Sequence, residues 1–268
     1  MVAFELVRRG GDGGAPVLLF LPGGPGGSEL TLDRAVEDVL EMARYLRARF
    51  GTEVVLVGNS WGTITGALAA VRAPELFAAY VGTGQMVGPD ETDRMFWEDT
   101  LAWAEERGDR RLVEALRAAG PPPYRDVRHY EPALSREHDW NAYEMPAGYL
   151  ARGEMPGNLM VAEYGLLEQL CTLGTTLDAF AALYPQATGL DLREVAARLE
   201  VPVVVVHGAH EARGRAVLAR EWFARLEAPT KEWVELDRSG HRPLFEEPGR
   251  SAATLRDVVL GQAVTLGG

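Results

Sequence analysis

One serine, Ser60, stands between two glycines in Val54-Val-Leu-Val-Gly-Asn-Ser-Trp-Gly-Thr63, just where an apolar run ends. A serine hydroxyl is a weak nucleophile near neutral pH and attacks carbonyls only when a base takes its proton. The Gly-x-Ser-x-Gly pattern is short and recurs by chance, so its context decides its meaning. The pattern carries chemistry when a buried strand precedes it and a helix follows, because the tight turn then lifts the hydroxyl above the carboxyl ends of the strands. Gly58 and Gly62 are small because a side chain at either would crowd the neighbouring strand and helix.

The base is sought among five histidines. His129 and His138 fall in a helical stretch. His207 ends a strand and reads as a packed, hydrogen-bonded residue, and His210 lies in the loop after it. His241, in Leu236-Asp-Arg-Ser-Gly-His-Arg, sits in a loop between the last strand and the last helix and is the expected base. An imidazole base needs an acid that fixes its tautomer. Glu211 follows the strand Val201–Gly208 and is the expected acid; Asp237 is its rival, and pairing with Arg213 or Arg215 is its alternative role. Serine, acid, histidine is the chain order of an α/β-hydrolase. An oxyanion formed at Ser60 needs backbone donors. The Trp61 amide supplies one, and Gly23 or Gly24 the other, since Pro22 and Pro25 of the same Pro22–Gly27 loop have no N–H.

These residues need a scaffold. Ala15–Leu21, Glu53–Val57, Phe77–Gly84, Val201–Gly208 and Lys231–Leu236 read as strands, mostly apolar throughout, as buried parallel strands are. Leu32–Phe50 has apolar residues at helical spacing and ends at Gly51. Thr63–Ala73, Leu192–Glu200, Arg215–Glu227 and Glu246–Leu260 also read as helices. Strand–helix alternation predicts a mostly parallel sheet with helices on both faces. Residues 1–88 and 187–268 form this expected core. Residues 89–186 show no evident strands and read as an inserted helical cap, broken at Pro121–Tyr124 and rich in aromatics (Trp97, Trp103, Trp140, Tyr124, Tyr130, Tyr143, Tyr149, Tyr164). Most of these rings serve packing; some could line a pocket under a lid.

The chain of 268 residues carries a net charge of -12, which disfavours nucleic acid and anionic membranes as partners. Cys171, the one cysteine, allows no internal disulfide and reads as a small buried hydrophobe. The N-terminus lacks the pattern of a signal peptide, and no apolar run approaches the ~20 residues needed to span a bilayer, so a cytoplasmic protein is expected.

The Pro22-Gly-Gly-Pro-Gly26 loop together with Gly58-Asn-Ser-Trp-Gly62 resembles the proline iminopeptidase family of α/β-hydrolases, and the likeness extends over most of the chain. Pro22 stands where that family has histidine, Asn59 where it has glycine, and Glu211 where it has aspartate. Relatives also carry a helix, a strand and a turn between positions equivalent to Gly27 and Thr31, so the core is shortened after the oxyanion loop. The missing strand would have covered one edge of Val17–Leu21, and Ala3–Val7 or a second subunit is the expected cover. The resemblance implies an aminopeptidase that releases N-terminal residues from small peptides through an acyl-enzyme, with no metal or organic cofactor. It also implies acidic cap residues that hold the free amine, with Glu163 first and Glu98 second. The alternatives are a carboxylesterase and a ligand-binding protein on a hydrolase scaffold.

Overall fold

The computed structural model describes residues 16–24, 31–124, 127–146, 165, 178, 181–259 and 261. Its described strands are β1 (Val17–Leu21), β2 (Val54–Asn59), β3 (Phe77–Thr83), β4 (Val203–Gly208) and β5 (Lys231–Leu236). They form one parallel sheet in the order β1-β2-β3-β4-β5. Between them run α1 (Leu32–Phe50) and α2 (Trp61–Arg72), and after β3 come α3 (Pro89–Glu106), α4 (Arg110–Ala119), α5 (Val127–Leu134) and α6 (Glu137–Trp140). A helical stretch at 181–187 and α7 (Leu192–Val195) lead into β4. Then follow α8 (Arg213–Arg225), α9 (Pro243–Glu246) and α10 (Pro248–Val259).

The central strands β2, β3 and β4 are buried on both faces, which is why they read as apolar runs. Successive β2 residues alternate between two cores. Val54 and Leu56 pack with Val36, Leu40 and Leu46 of α1, Ala67 of α2 and Trp222 of α8. Val55 and Val57 pack on the other face with Val234 and Leu236, and with Leu255 and Val259 of α10. The α1 helix shows why its sequence stops and starts where it does. The Thr31 hydroxyl accepts from the Arg34 amide at its start, and Gly51 closes it in the left-handed region with φ 66°.

Two elements differ from the sequence reading. The helix expected over Leu192–Glu200 ends at Val195, because the chain then pairs with the segment after α8: Leu199 N–H donates to Glu227, and Glu227 N–H to Ala197. The single helix expected at Glu246–Leu260 is two, α9 and α10, divided at Glu247 before Pro248. Among the described residues β1 is an edge strand, paired with β2 alone. Ala3–Val7, Cys171 and most of 147–180 lie outside the described residues.

The end of β2 positions the serine. Ser60 has φ 52° and ψ -120° and is the only described non-glycine residue with positive φ. Such a conformation is costly for an L-residue and persists only where the surroundings enforce it. Here the Ser60 amide donates to Thr83 O at 2.9 Å, and Thr63 N–H donates back to Ser60 O at 2.9 Å. The crossing is too close for side chains. A Cβ on Gly62 would lie 2.3 Å from Leu21 O, and one on Gly58 would lie 2.6 Å from Gly62 O. The Asn59 side chain accepts from the Thr83 hydroxyl at 3.0 Å. Gly62→Ala is therefore expected to lower unfolding stability by about 2 kcal/mol or more, since backbone must move. Gly249→Ala meets nothing within 4 Å in the first turn of α10 and is expected to change stability by under about 1 kcal/mol. Urea denaturation of both variants checks the contrast.

Candidate active site

Three elements converge on the β2–α2 turn. His241 Nε2 lies 2.8 Å from Ser60 Oγ, and its Nδ1 lies 2.7 Å from Glu211 Oε2. The structure thus joins Ser60, His241 and Glu211 in one hydrogen-bonded chain. Glu211 lies in the segment that leaves β4, and His241 follows β5, so all three stand beyond the carboxyl ends of strands in one sheet, β2, β4 and β5. Asp237, the rival acid, is 81% exposed and pairs loosely with Arg250 at 3.5 Å.

Glu211 is almost fully buried, with a side chain 1% exposed. Its two oxygens are divided between partners. Oε2 faces His241, while Oε1 accepts from Arg215 Nε and from the Ala212 amide, each at 2.8 Å. Glu211 therefore touches both of the partners considered for it, His241 and Arg215, although its pairing with the arginine is buried rather than solvated. Burial would raise its carboxyl, but the Arg215 charge, then His241, reverse this and hold it well below the usual carboxylate range. Arg215, itself buried, is further bonded by Glu137 of α6 and lies 4.6 Å from the Phe96 ring centre. Burial would lower its guanidinium; Glu137 and Glu211 raise it above its ordinary value.

The His241 loop is held by a residue that the sequence reading missed. Buried Glu246 accepts from the amides on both sides of the histidine, Gly240 and Arg242, each at 2.9 Å. It also accepts from the Tyr143 hydroxyl at 2.6 Å. Glu247 takes the Ser239 hydroxyl at 2.6 Å. The pair Glu246-Glu247 looked like the acidic start of a helix, and no spacing rule marks a carboxylate that reaches back to a loop. His207 is packed as expected, against the Trp233 ring at 4.7 Å, yet its Nδ1 has no hydrogen-bond partner among the described residues. Burial lowers its imidazole to about 4, so it stays neutral near pH 7.

A cavity of about 600 Å³ opens over the serine. Gly24, Ser60, Trp61 and His241 form part of its lining, and Phe96, Tyr130 and Tyr184 add aromatic walls. The loop after β1 comes close to the serine: a Cβ on Gly23 would lie 3.2 Å from Ser60 Cβ. Glu98 does not line this cavity. It is half exposed and bonds Arg213 at 3.1 Å, beside Asp99 on the same arginine. Glu163 lies outside the described residues. Asp93 of α3, 4% exposed, does line the cavity, together with Glu137, Asp139 and Glu246. It accepts from the Tyr184 hydroxyl at 2.6 Å and is also bonded by Tyr130. Burial pushes its carboxyl up to about 7. Asp93 was legible only as one of several acids in Pro89-Asp-Glu-Thr-Asp93, and its inward face needs the packing of α3 to be seen.

Comparison with known proteins bears on the same arrangement. A family model described as "Alpha/beta hydrolase family" matches residues 4–254. The chain is 25% identical over 232 residues to "Probable aminopeptidase YbaC" of Bacillus subtilis (strain 168), covering 84% of this chain and 71% of that protein. Its fold is similar to the proline iminopeptidase-related protein TTHA1809 from Thermus thermophilus, with a TM-score of 0.58, 18% identity, and coverage of 96% and 97% of the two chains. MenH from S. aureus is also similar in fold, with a TM-score of 0.58 at 10% identity, over 97% and 99% of the chains. No helix among the described residues is long and apolar enough to cross a membrane. With a parallel sheet, a serine at a strained strand-to-helix turn and a family match over nearly its whole length, the chain belongs to the alpha/beta hydrolase family.

Proposed function

We propose that the protein is a serine hydrolase that forms an acyl-enzyme on Ser60, with an aminopeptidase-like preference for substrates bearing a free amine. The observation that carries the hydrolytic reading is the unbroken chain Ser60–His241–Glu211 at the mouth of the cavity. In this reading His241 Nε2 takes the Ser60 proton as Oγ attacks the carbonyl carbon. Glu211 holds Nδ1–H and stabilises the imidazolium. The amides of Trp61, at the start of α2, and of Gly24 or Gly23 receive the developing oxyanion. His241 then protonates the leaving group. Water deprotonated by His241 attacks the ester, and Ser60 regains its proton as the acid product departs. None of these steps calls for a metal or organic cofactor.

Support for the amine preference comes from Asp93. Its bonds are to tyrosine hydroxyls, and the nearby Arg215 is already engaged by Glu211 and Glu137. A buried carboxyl of this kind gains most when a cation arrives. It replaces Glu98 as the candidate amine anchor. The similarity to a protein named as an aminopeptidase points the same way. A carboxylesterase remains the second reading, because the Ser60 machinery serves esters equally and an uncharged Asp93 would tolerate them.

A prolyl aryl amide, its N-acetylated twin and a simple aryl ester separate the readings. The free-amine amide is expected to be cleaved and the acetylated one not. Equal cleavage of both amides, or ester cleavage alone, would favour the esterase. Asp93→Asn should raise KM for the free-amine substrate tenfold or more, as loss of a charged hydrogen bond of about 1.5–3 kcal/mol implies. It should leave the ester's KM within about twofold. The sign of the pH effect follows: the amine binds the carboxylate, which forms as pH rises through about 7, so KM for the amine substrate should fall across that range. In Asp93→Asn this dependence should vanish, and its persistence would remove Asp93 from the amine site.

A further inference from the structure

The Ser60–His241–Glu211 chain has an electrostatic problem that Glu137 answers. In acyl transfer the acid must favour the imidazolium, which it does by its negative charge. Here that acid is bonded through Oε1 to a buried guanidinium, Arg215. A cation paired this closely would cancel most of the field that Glu211 exerts on His241, because little water is present to screen it. The second carboxylate on Arg215 changes the balance. Glu137 of α6 pairs with Arg215 Nη2, whereas Glu211 takes Nε, and the Glu137 side chain is only 13% exposed. Two carboxylates then share one arginine.

We propose that Glu137 is a positioning residue that acts through Arg215: it offsets the arginine's charge so that the group behind His241 carries one net negative charge, and it tethers α6 to the acid arm. This inference rests on the acyl-transfer reading given above. The charge count is explicit. Glu211 and Glu137 each contribute -1 and Arg215 contributes +1, leaving -1 to face the imidazolium. The other groups around His241 do not supply this charge. Ser60 meets His241 through a hydroxyl, and the Tyr143 hydroxyl donates to Glu246. His207, on β4, is neutral near pH 7. Glu246 brings a charge of -1 to the Gly240 and Arg242 amides and Tyr143, and Arg242, next in the chain, offsets it with +1. Asp93 reaches Arg215 only through space and is partly protonated near neutral pH.

The arrangement also accounts for a glutamate in place of the shorter aspartate. The extra methylene carries the carboxylate to where one oxygen meets His241 while the other meets Arg215 and the Ala212 amide. An acid arm of this length needs a partner on its second oxygen to fix its rotamer, and a cationic partner then requires a compensating anion.

The test follows the rate of inactivation by an uncharged fluorophosphonate against pH, which needs no knowledge of the substrate. To keep the titration of Asp93 out of the profile, every protein carries Asp93→Asn. Inactivation rises as His241 loses its proton. Removing an anion makes the imidazolium less favourable, so in Glu137→Gln the acidic limb should move to lower pH by about one unit, and the plateau rate should fall about 3- to 10-fold. The double variant Glu137→Gln/Arg215→Met removes one charge of each sign and restores a net -1. Its limb should return to the position of the parent. A role in packing alone predicts the opposite, with both limbs unmoved and the double variant the more impaired in melting temperature. A Glu137→Gln limb that superposes on the parent overturns the inference, as does a double variant displaced like the single one. If Glu137→Gln does not fold, Arg215→Met is compared with the double variant: with Glu137 intact the net charge is -2, so its limb should lie at higher pH, and two superposed limbs overturn the inference. A parent protein that is folded but never labelled at Ser60 would overturn the acyl-transfer reading, and this inference with it; a labelled parent with unmoved limbs overturns this inference only.

Discussion

Glu211 is a carboxylate removed from water, and an unpaired charge in that position would cost several kcal/mol. The structure around it is arranged to prevent this. Arg215 and the Ala212 amide hold one oxygen, His241 holds the other, and Glu137 answers the arginine in turn. Because these partners come from β4's exit loop, α8, α6 and the loop after β5, satisfying one buried charge fixes four pieces of chain against each other. The same contacts that keep the acid ionised aim the imidazole at Ser60. A site whose stability and geometry rest on one network can tolerate few changes in it, and the loss of either partner leaves a buried charge exposed to the full desolvation cost.

The second constraint is steric. At Ser60 three backbones meet so closely that only hydrogen fits at Gly58 and Gly62. This close crossing holds Ser60 at a positive φ that a serine would otherwise avoid. The two constraints meet on His241. One orients the imidazole from behind, while the other brings the hydroxyl up to it at 2.8 Å. The His241 loop spans them, anchored by Glu246 to its own amides and to Tyr143.

How far this was legible in the sequence depends on the range of the interaction. Strands such as Val54–Asn59 and Val203–Gly208 declare themselves through local apolar runs and β-branched residues, and their bounds agree with the reading to within two residues. The helix α1 was equally plain because its periodicity and its stop at Gly51 are local. The helix after Asp191 was overread, since its last residues were claimed by a bridge to Glu227, nearly thirty positions away. At the site, Ser60, His241 and Glu211 could be named from chain order and their place after strands. Glu137, Asp93 and Glu246 could not. Each is a common surface-type residue whose meaning comes from what is packed against it: an arginine on α8, two tyrosines from distant helices, and a loop's amides. Glu98 shows the converse: the family resemblance made it the second candidate for an acidic cap residue, whereas its side chain is half exposed and bonds Arg213.

The most direct measurement is to quench the protein in acid during turnover of an activated aryl ester and map the trapped acyl group by mass spectrometry. The account predicts an acyl adduct on the peptide containing Ser60. That adduct should be absent in Ser60→Ala and should fail to accumulate in His241→Ala, where no base activates the hydroxyl. An adduct on another residue, or turnover that survives in folded Ser60→Ala, would contradict it.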